Sequence, residues 1–445
     1  MVERLEDLLR RARAQGAVEA DAFMVEEELQ TVQVRLGQVE SVKHARENRC
    51  SLRIFTPTGS ASATSSDLSP AALRRLIDET VRLAEVTQRD EHSGLPAAAA
   101  LARDIPDLDL WDPDGGGVSV ETRIEWARRA EAAALDADPR VENSEGAEFY
   151  DRRGRVAYAA SGGLAGTFQL SSFALSVSPV AVEHGHMQRD YWYSASRKLA
   201  GLESPGAIGR EAARRACRRL GARKQSTTEV PVVLDPESAA SLLRALAVAA
   251  SGPSLYRGTS FLVGRLGRPL AAPSVTIVDD PLIPGGLASR PFDGEGLPSR
   301  RTVLVDRGVL RSYLLDSYSA RKLDLAATGH AAREDGGGVT VAPTNLYLEP
   351  GPHDPEEIIR SVDRGLYVTE LIGFGVNFVT GDYSRGAVGH WIEGGELAYP
   401  VEEITIAGNL ANMLGAIEMI GADLVFRDQV AAPTLKIARM TVAGD

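Results

Sequence analysis

The chain has 445 residues, 44% of them hydrophobic, and its 49 basic and 61 acidic side chains give a formal net charge of −12. This acidic balance argues against binding to nucleic acid, because affinity for the phosphate backbone comes largely from clustered Lys and Arg. No apolar run approaches the roughly 18 residues of a membrane-spanning helix, and the charged residues 1–7 do not resemble a signal peptide. Two cysteines cannot build a disulfide framework, so we expect a cytoplasmic protein.

The first 93 residues are predicted to form a small α+β unit. Leu5, Leu8 and Leu9 recur at helical spacing, so residues 3–15 are expected to be a helix. Polar and apolar residues alternate within residues 22–65, which is typical of strands. Ser69 is expected to cap a second helix, because a proline follows it at the first helical position.

The same order of elements recurs after a linker at 94–117 that is rich in Pro and Gly. Ser119 is predicted to cap a helix that ends near residue 136, and strands are expected over about 147–195. Ser204 is predicted to open a helix that ends near residue 220. Residues 118–222 are therefore predicted to be a second small α+β unit.

Residues 228–445 are predicted to form a larger, strand-rich domain. Residues 230–234 have the apolar character of a buried strand, and Asp235 is expected to cap a helix that ends near Ala250. The chain as a whole is therefore predicted to have an α+β fold, with two small N-terminal units and one larger C-terminal domain.

Turns and a further helix are predicted within this larger domain. Glycine-containing turns at 306–308 and 393–395 predict two hairpins. Residues 407–420 are predicted to form a helix, because Leu410, Met413, Leu414 and Ile417 would share its inner face.

Two groups of side chains could carry chemistry, and each has a structural alternative. His184 and His186 would share one face of a strand and could bind one metal, but the spacing suggests no third ligand. A solvated strand end is the favoured interpretation. Cys217 lies among arginines that would lower the pKa of a thiol, but a small buried residue on its helix is the favoured interpretation.

The most distinctive stretch runs from residue 375 to residue 393. It is predicted to be a strand that enters a Gly-Asp-Tyr-Ser-Arg-Gly loop and then a hairpin, with Asp382 and Arg385 as an ion pair that fixes the loop. Its glycines permit close approach of another backbone. The stretch therefore suits either a tight structural corner or a ledge on which another backbone adds as a strand, and the spacing does not decide between them.

This stretch and several others resemble the TldD/PmbA family. The resembling segments are residues 260–262, 292–296, 318–322, 328–329, 375–393, 399–410 and 420–424. The resemblance is strongest over 228–445 and weaker before it. The wording Thr-Gly-Asp-Tyr-Ser-Arg-Gly at 380–386 is similar to the PmbA (TldE) branch rather than to the TldD branch.

The resemblance implies a cytoplasmic metalloprotease in which a TldD-type and a PmbA-type chain form a heterodimer around an enclosed cavity. Such complexes cleave unfolded or modified peptides, and the peptide lies extended against strand edges. The TldD-type subunit carries zinc on a His-Glu-x-x-x-His helix, assisted by a C-terminal Cys. In this chain, the candidates for binding peptide or lining the cavity are Gly381, Asp382, Tyr383, Ser384, Arg385, Ser260 and Phe261.

This chain departs from the zinc pattern of the family on the helix that follows residues 230–234. Arg244, Ala245 and Ala249 stand where His, Glu and His would be, and none of them can bind zinc or act as a general base. Residues 423–434 contain no Cys. We therefore expect no metal and no catalytic residue on this chain, and zinc on a TldD-type partner whose cavity this chain completes.

Two other functions stay open at this stage. The chain could be a self-sufficient homodimeric peptidase with a metal on His184 and His186, and an isolated chain could pair with itself. It could instead be a non-catalytic protein that binds peptides or regulates a topoisomerase, as an older family name, modulator of DNA gyrase, suggests.

Overall fold

The computed structural model describes residues 1–444, so only Asp445, the last residue of the predicted C-terminal domain, lies outside the description. The helices are α1 (Val2–Ala14), α2 (Pro70–Val86), α3 (Val120–Leu135), α4 (Pro205–Arg218), α5 (Pro236–Ala249), α6 (Gly252–Tyr256), α7 (Ser317–Lys322), α8 (Pro355–Arg360) and α9 (Leu410–Gly415). None of these helices, over residues 1–444, is both long enough and apolar enough to cross a membrane.

The strands of the N-terminal half are β1 (Glu19–Arg35), β2 (Gln38–Phe55), β3 (Ser60–Ser65), β4 (Val141–Ala160), β5 (Ala165–Glu183), β6 (His186–Arg189) and β7 (Trp192–Ser196). Those of the C-terminal half are β8 (Thr228–Leu234), β9 (Ile277–Asp279), β10 (Thr302–Asp306), β11 (Val309–Leu310), β12 (Ala331–Arg333), β13 (Val339–Val341), β14 (Leu346–Leu348), β15 (Arg364–Ile372), β16 (Asp382–Glu393), β17 (Glu396–Asn409), β18 (Ile417–Ile420), β19 (Val430–Ala431) and β20 (Leu435–Ala443). The predicted α+β fold is confirmed.

One sheet contains the strands of both predicted N-terminal units. Its order is β3-β2-β1-β4-β5-β6, with β7 also paired to β5. The joint is the antiparallel pair β1–β4, whose register runs from Asp21 opposite Ala160 to Val34 opposite Ala147. The order helix, strands, helix therefore occurs twice as predicted, but the two units share a continuous backbone ladder.

Two pairs of helices cover one face of this sheet. α1 and α2 pack on the end of the sheet that includes Met24 and Leu52, and α3 and α4 pack on the other end, beside Val34 and Phe149. The helices begin where their caps predict: the side chains of Ser69, Ser119 and Ser204 each accept a hydrogen bond from a backbone N–H in the first turn.

The opposite face of the sheet is covered at one end only. There, Val25, Val156 and Leu170 pack against Leu108 and Leu110 of the linker. Farther along the strands, the residues that alternate onto this face are half-buried, and no helix of residues 1–444 lies on them; they include Leu29, Thr31, Tyr150, Ser172 and Ala174. We call these five residues the open sheet face.

The C-terminal half has two main sheets around one core. A six-stranded sheet has the order β17-β16-β15-β8-β20-β18, and a five-stranded sheet has the order β11-β10-β9-β14-β19. Residues from both sheets and from α5 belong to one buried cluster, for example Leu234, Ile277 and Leu246. Both predicted hairpins are present, as β10–β11 and β16–β17.

The predicted helix at 407–420 is wrong at both ends. β17 continues to Asn409, whose side chain caps the six-residue α9 by accepting a hydrogen bond from the N–H of Ala411. Ile417 and Ile420 then pair with β20 in β18. The inward residues of the short helix, Leu410, Met413 and Leu414, are buried as predicted; pairing with distant strands overrides the helical spacing beyond them.

A buried network of charges fixes the N-terminal sheet to the C-terminal half. Asp21 accepts hydrogen bonds from Arg53 and from Arg333, each at 2.6 Å, and Arg53 reaches Glu295 at 3.0 Å. The hydroxyl of Tyr158 donates to the carbonyl of Glu295 at 2.8 Å. Burial alone would raise the pKa of Asp21, but the guanidinium groups of Arg333 and Arg53 hold it below its usual value.

Candidate functional site

The helix α5 is the place where the resemblance puts the zinc ligands of the related subunit. Asp235 caps it, because its carboxylate accepts a hydrogen bond from the N–H of Ser238 at 2.8 Å. Leu242 and Leu246 lie in the core of the C-terminal half. The helix therefore has one narrow exposed side, which includes Arg244 and Val248.

An ion pair occupies this exposed side. Nη2 of Arg244 lies 2.9 Å from Oδ2 of Asp428, and both side chains are half-exposed. Asp428 belongs to the segment 423–434, which lacks the Cys that the resemblance leads one to expect. The ion pair therefore joins this segment to α5, although its two residues lie 184 positions apart in the sequence. Sequence reasoning noted the missing Cys, but nothing in the sequence pointed to Asp428 as the partner of Arg244.

The other two aligned positions are apolar and belong to the core. Ala245 and Ala249 are buried among the side chains that pack around α5. Zinc in proteins is bound by thiolate, imidazole or carboxylate groups, so these alanines and the guanidinium of Arg244 do not fit a zinc site. Asp428 offers a carboxylate there, but Arg244 already holds it.

The histidine pair lies at a solvated strand end, as favoured, and lacks the shared-face geometry that a metal site would need. His184 and Gly185 form the turn between β5 and β6, and His184 has a positive φ of 52°. The two imidazoles therefore do not project from one face of a strand, and both residues are exposed. Over residues 1–444, no three His, Cys, Asp or Glu side chains lie close enough together to hold a metal ion.

The distinctive 381–385 segment is a paired strand rather than a loop. Asp382, Tyr383, Ser384 and Arg385 begin β16 and pair with β17 on one side. On the other side, the N–H of Ser384 donates to the carbonyl of Gly375 at 2.7 Å. Both edges of this part of β16 are therefore occupied within the chain, which favours the tight corner over the ledge for an added strand.

The predicted ion pair across this segment is replaced by local hydrogen bonds. Asp382 accepts a hydrogen bond from the hydroxyl of Thr380 at 2.6 Å, and Arg385 donates to the carbonyl of Leu371 at 3.1 Å. Because β16 is a strand, Asp382 and Arg385 point to opposite faces, which keeps them apart. Asp382 and Ser384 are exposed, whereas Tyr383 is buried in the core.

The two candidates near residue 260 connect α5 to this segment. The hydroxyl of Ser260 is buried and donates to the carbonyl of Ala249 at 2.6 Å, at the end of α5. The N–H of Phe261 donates to the carbonyl of Phe378 at 2.8 Å. The side chains of Ser260 and Tyr383 are buried, and a peptide-binding or cavity-lining role for all seven candidates stays a prediction.

The open sheet face meets the exposed side of α5 at residues that sequence reasoning missed. Tyr193 on β7 pairs with Ser176 of β5, and its hydroxyl lies 3.4 Å from the carboxylate of Glu237 on α5. The neighbouring Trp192 alternates onto the helix-covered face of the sheet, where the guanidinium of Arg427 stacks on it at 4.4 Å. Only the Tyr-Trp-Tyr wording at 191–193 marked this region in the sequence. The resulting surface includes the ring and hydroxyl of Tyr193 and the carboxylate of Glu237.

Cys217 has the opposite pKa shift to the one its neighbours suggested. Burial, and to a smaller extent the nearby Asp138, raise the pKa of the Cys217 thiol to about 11. The arginines of α4 do not overcome this effect. Cys217 is therefore a buried structural residue rather than a reactive thiolate.

Comparison with known proteins places these features in a family. Models of the PmbA/TldA metallopeptidase match the chain in three parts: domain 1 over residues 20–84, the central domain over 113–220 and the C-terminal domain over 227–444. The metalloprotease PmbA of Escherichia coli O157:H7 is 39% identical over 414 residues, which is 93% of this chain and 90% of that protein.

Solved structures have the same fold over nearly the whole chain. A proposed modulator of DNA gyrase from Bacteroides thetaiotaomicron superposes with a TM-score of 0.91 at 25% identity, covering 100% of this chain and 98% of that one. TldE from Thermococcus kodakarensis superposes with a TM-score of 0.90 at 21% identity, covering 99% and 100%. The chain therefore belongs to the PmbA/TldD family of metallopeptidases.

Proposed function

We propose that this chain is the PmbA/TldE-type subunit of a two-subunit cytoplasmic metallopeptidase that acts on unfolded or modified peptides. In this proposal the chain has no zinc site of its own and pairs with a TldD-type subunit that carries the zinc. Its task is to complete the cavity in which the partner cleaves the peptide.

The observation that carries this proposal is the chemistry of α5. An ion pair between Arg244 and Asp428 stands at the place where the related subunit holds its metal, beside the buried Ala245 and Ala249. A guanidinium repels a cation, and a methyl group cannot bind one, so the side chains at this place favour a supporting role.

The open sheet face supports the second half of the proposal. Its residues, for example Leu29 and Tyr150, are half-buried and no helix of residues 1–444 covers them, so a bound chain could cover them further. That surface ends at Tyr193 and Glu237, next to Arg244. A peptide held there would lie beside α5, where a partner subunit could reach it.

The proposal is tested by reconstitution with the TldD-type chain from the same genome. Cleavage of an unstructured peptide and bound zinc are measured for each chain alone and for the mixture. We expect bound zinc in the partner and not in this chain, and we expect the mixture to cleave the peptide. A mixture whose partner carries His→Ala in its zinc helix should not cleave it.

Other outcomes identify the competing functions. If this chain alone cleaves as fast as the mixture, and loses zinc on His184→Ala, it is a self-sufficient homodimeric peptidase. If it binds a topoisomerase and ignores the TldD-type chain, it is a regulator, and the proposed pairing is wrong.

A further inference from the structure

The loop between β15 and β16 exposes several large apolar side chains to solvent. The relative solvent exposure is 103% for Phe374, 56% for Val379 and 53% for Ile372. Single exposed apolar residues are common on protein surfaces, but a fully exposed phenylalanine with two aliphatic neighbours in one short loop is the pattern of an interaction site.

The backbone of this loop is held firmly while it exposes these side chains. The N–H of Asn377 donates to the carbonyl of Asp382 at 2.8 Å, and the N–H of Gly381 donates to the carbonyl of Asn377 at 2.7 Å. A Cβ on Gly375 would lie 1.5 Å from the carbonyl oxygen of Ser384, so only glycine fits this close approach. The loop is therefore pre-organised and does not need to become ordered on binding.

Further exposed apolar residues lie on α5 and on the segment between α5 and the loop. Phe378 is hydrogen-bonded through its carbonyl to Phe261, and the turn that follows Phe261 exposes Val263 at 52%. Val248 is also exposed and lies one helical turn after Arg244 on the same side of α5. We call Val248, Val263, Ile372, Phe374 and Val379 the apolar knob.

We propose that the apolar knob is the docking surface for the TldD-type subunit, with Phe374 inserted into a pocket of that partner. This inference rests on the proposed function and adds the location of the contact. Phe374 has no covering neighbour, so it projects from the surface, and a projecting side chain is buried only by a folded partner that has a pocket.

An extended peptide is a poorer occupant of this surface. Peptides that add to a sheet need unpaired backbone groups at a strand edge, whereas the carbonyls of Gly375 and Phe378 are already bonded to Ser384 and Phe261. The knob also begins one turn from Arg244. A subunit seated on it would therefore stand next to the surface that the proposed function assigns to the cavity.

The area involved is appropriate for part of a subunit interface. A buried aromatic side chain removes about 150–250 Å² from solvent, and one side of a standard interface covers about 800 Å². Phe374 alone would supply about a quarter of that area. Aromatic residues in such central positions carry much of the binding energy.

The test measures the dissociation constant of full-length chains with the purified TldD-type subunit by analytical ultracentrifugation. We expect Phe374→Ser to weaken binding by about thirtyfold or more, and Phe374→Leu to retain most of it. The matched control is Val86→Ser, because Val86 is 82% exposed at the end of α2, far from the knob in the sequence. Its dissociation constant should change less than about threefold.

The outcomes separate this inference from the proposed function. If the unmodified chain does not bind the TldD-type subunit, the proposed function fails. If the unmodified chain binds and Phe374→Ser binds equally well, the docking surface is wrong. If Phe374→Ser abolishes only self-association, the knob serves a second copy of this chain, and the proposed partner is wrong. Because Phe374 packs against nothing in the chain, we expect the melting temperature of the variant to stay unchanged.

Discussion

Two arginine–carboxylate contacts of similar length have very different surroundings. Arg333 reaches Asp21 at 2.6 Å with both side chains buried, whereas Arg244 reaches Asp428 at 2.9 Å with both half-exposed. The buried contact belongs to a network that also includes Arg53 and Glu295 and joins the N-terminal sheet to the C-terminal half. The exposed contact joins two segments that are already adjacent in one domain.

The difference shows that burial, and not contact length, decides whether a charged side chain is required for the fold or can be replaced. A buried charge that loses its partner keeps the full cost of desolvation, so the network tolerates little change. A half-exposed pair is screened by water and contributes little to folding. The place where the resemblance puts the zinc site of a TldD-type subunit can therefore carry different side chains without endangering the fold.

The largest effect is expected from breaking the buried network. Arg333→Ala leaves Asp21 with one cationic partner and removes a hydrogen bond to the carbonyl of Gly294. We expect a loss of about 3–5 kcal/mol in the free energy of unfolding, measured by urea denaturation. Arg301→Ala is the control, because Arg301 pairs with Glu349 at the surface. A loss below about 1 kcal/mol for Arg333→Ala would show that the buried network contributes no more to stability than a surface ion pair.

A smaller effect, dependent on pH, is expected from a buried group on β16. Burial and the nearby Arg218 lower the pKa of His390 to about 4, below its ordinary value of 6.5. The unfolded chain therefore binds the proton first, so His390 costs no stability above pH 6.5 and costs progressively more as the pH falls from 6.5 to 4. The total loss is on the order of 1–3 kcal/mol.

The measurement is the difference between the unmodified chain and His390→Gln in unfolding free energy at pH 7 and at pH 5. We expect the variant to lose less stability on acidification. Asp235 acts in the opposite direction, because burial raises its pKa to about 6, so the total slope of one protein does not isolate His390. Equal slopes for the unmodified chain and His390→Gln would contradict the prediction.

The smallest effect is expected at the exposed pair. Arg244→Ala should change the unfolding free energy by no more than about 0.2–1 kcal/mol, as is typical of surface ion pairs. The midpoint of urea denaturation gives the value, with Asp428→Asn as the companion variant. If Arg244→Ala destabilises as much as Arg333→Ala, the two contacts are equivalent and the comparison above is wrong.

Local features of the fold could be predicted, because their causes lie within a few residues. The serines at 69, 119 and 204 cap helices, and the turns at 306–308 and 393–395 form hairpins, since capping and turn formation are settled by neighbouring backbone groups. The helix predicted at 407–420 failed because Ile417 pairs with Ile437 on β20, a contact that no local pattern contains.

The candidate site was predictable only in part for the same reason. The resemblance identified Arg244, Ala245 and Ala249, but not Asp428 opposite Arg244, because that contact spans 184 residues. His184 was misplaced because a positive φ puts it in a turn, which the sequence did not distinguish from a strand. The place of Tyr193 in the site could not be predicted, because its contact with Glu237 depends on the position of β7 in the sheet.

The shared N-terminal sheet also constrains how this protein is made. The long hairpin β1–β2 can form early, but the second edge of β1 is completed only by β4, and Asp21 meets Tyr158 across 137 residues. At roughly 5–20 residues per second of synthesis, that edge waits on the order of ten seconds for its partner strand. During this interval the nascent chain has an unpaired strand edge, which could pair with a strand of another chain. The sheet is complete only after residues 141–160 have been synthesised and have paired with that edge.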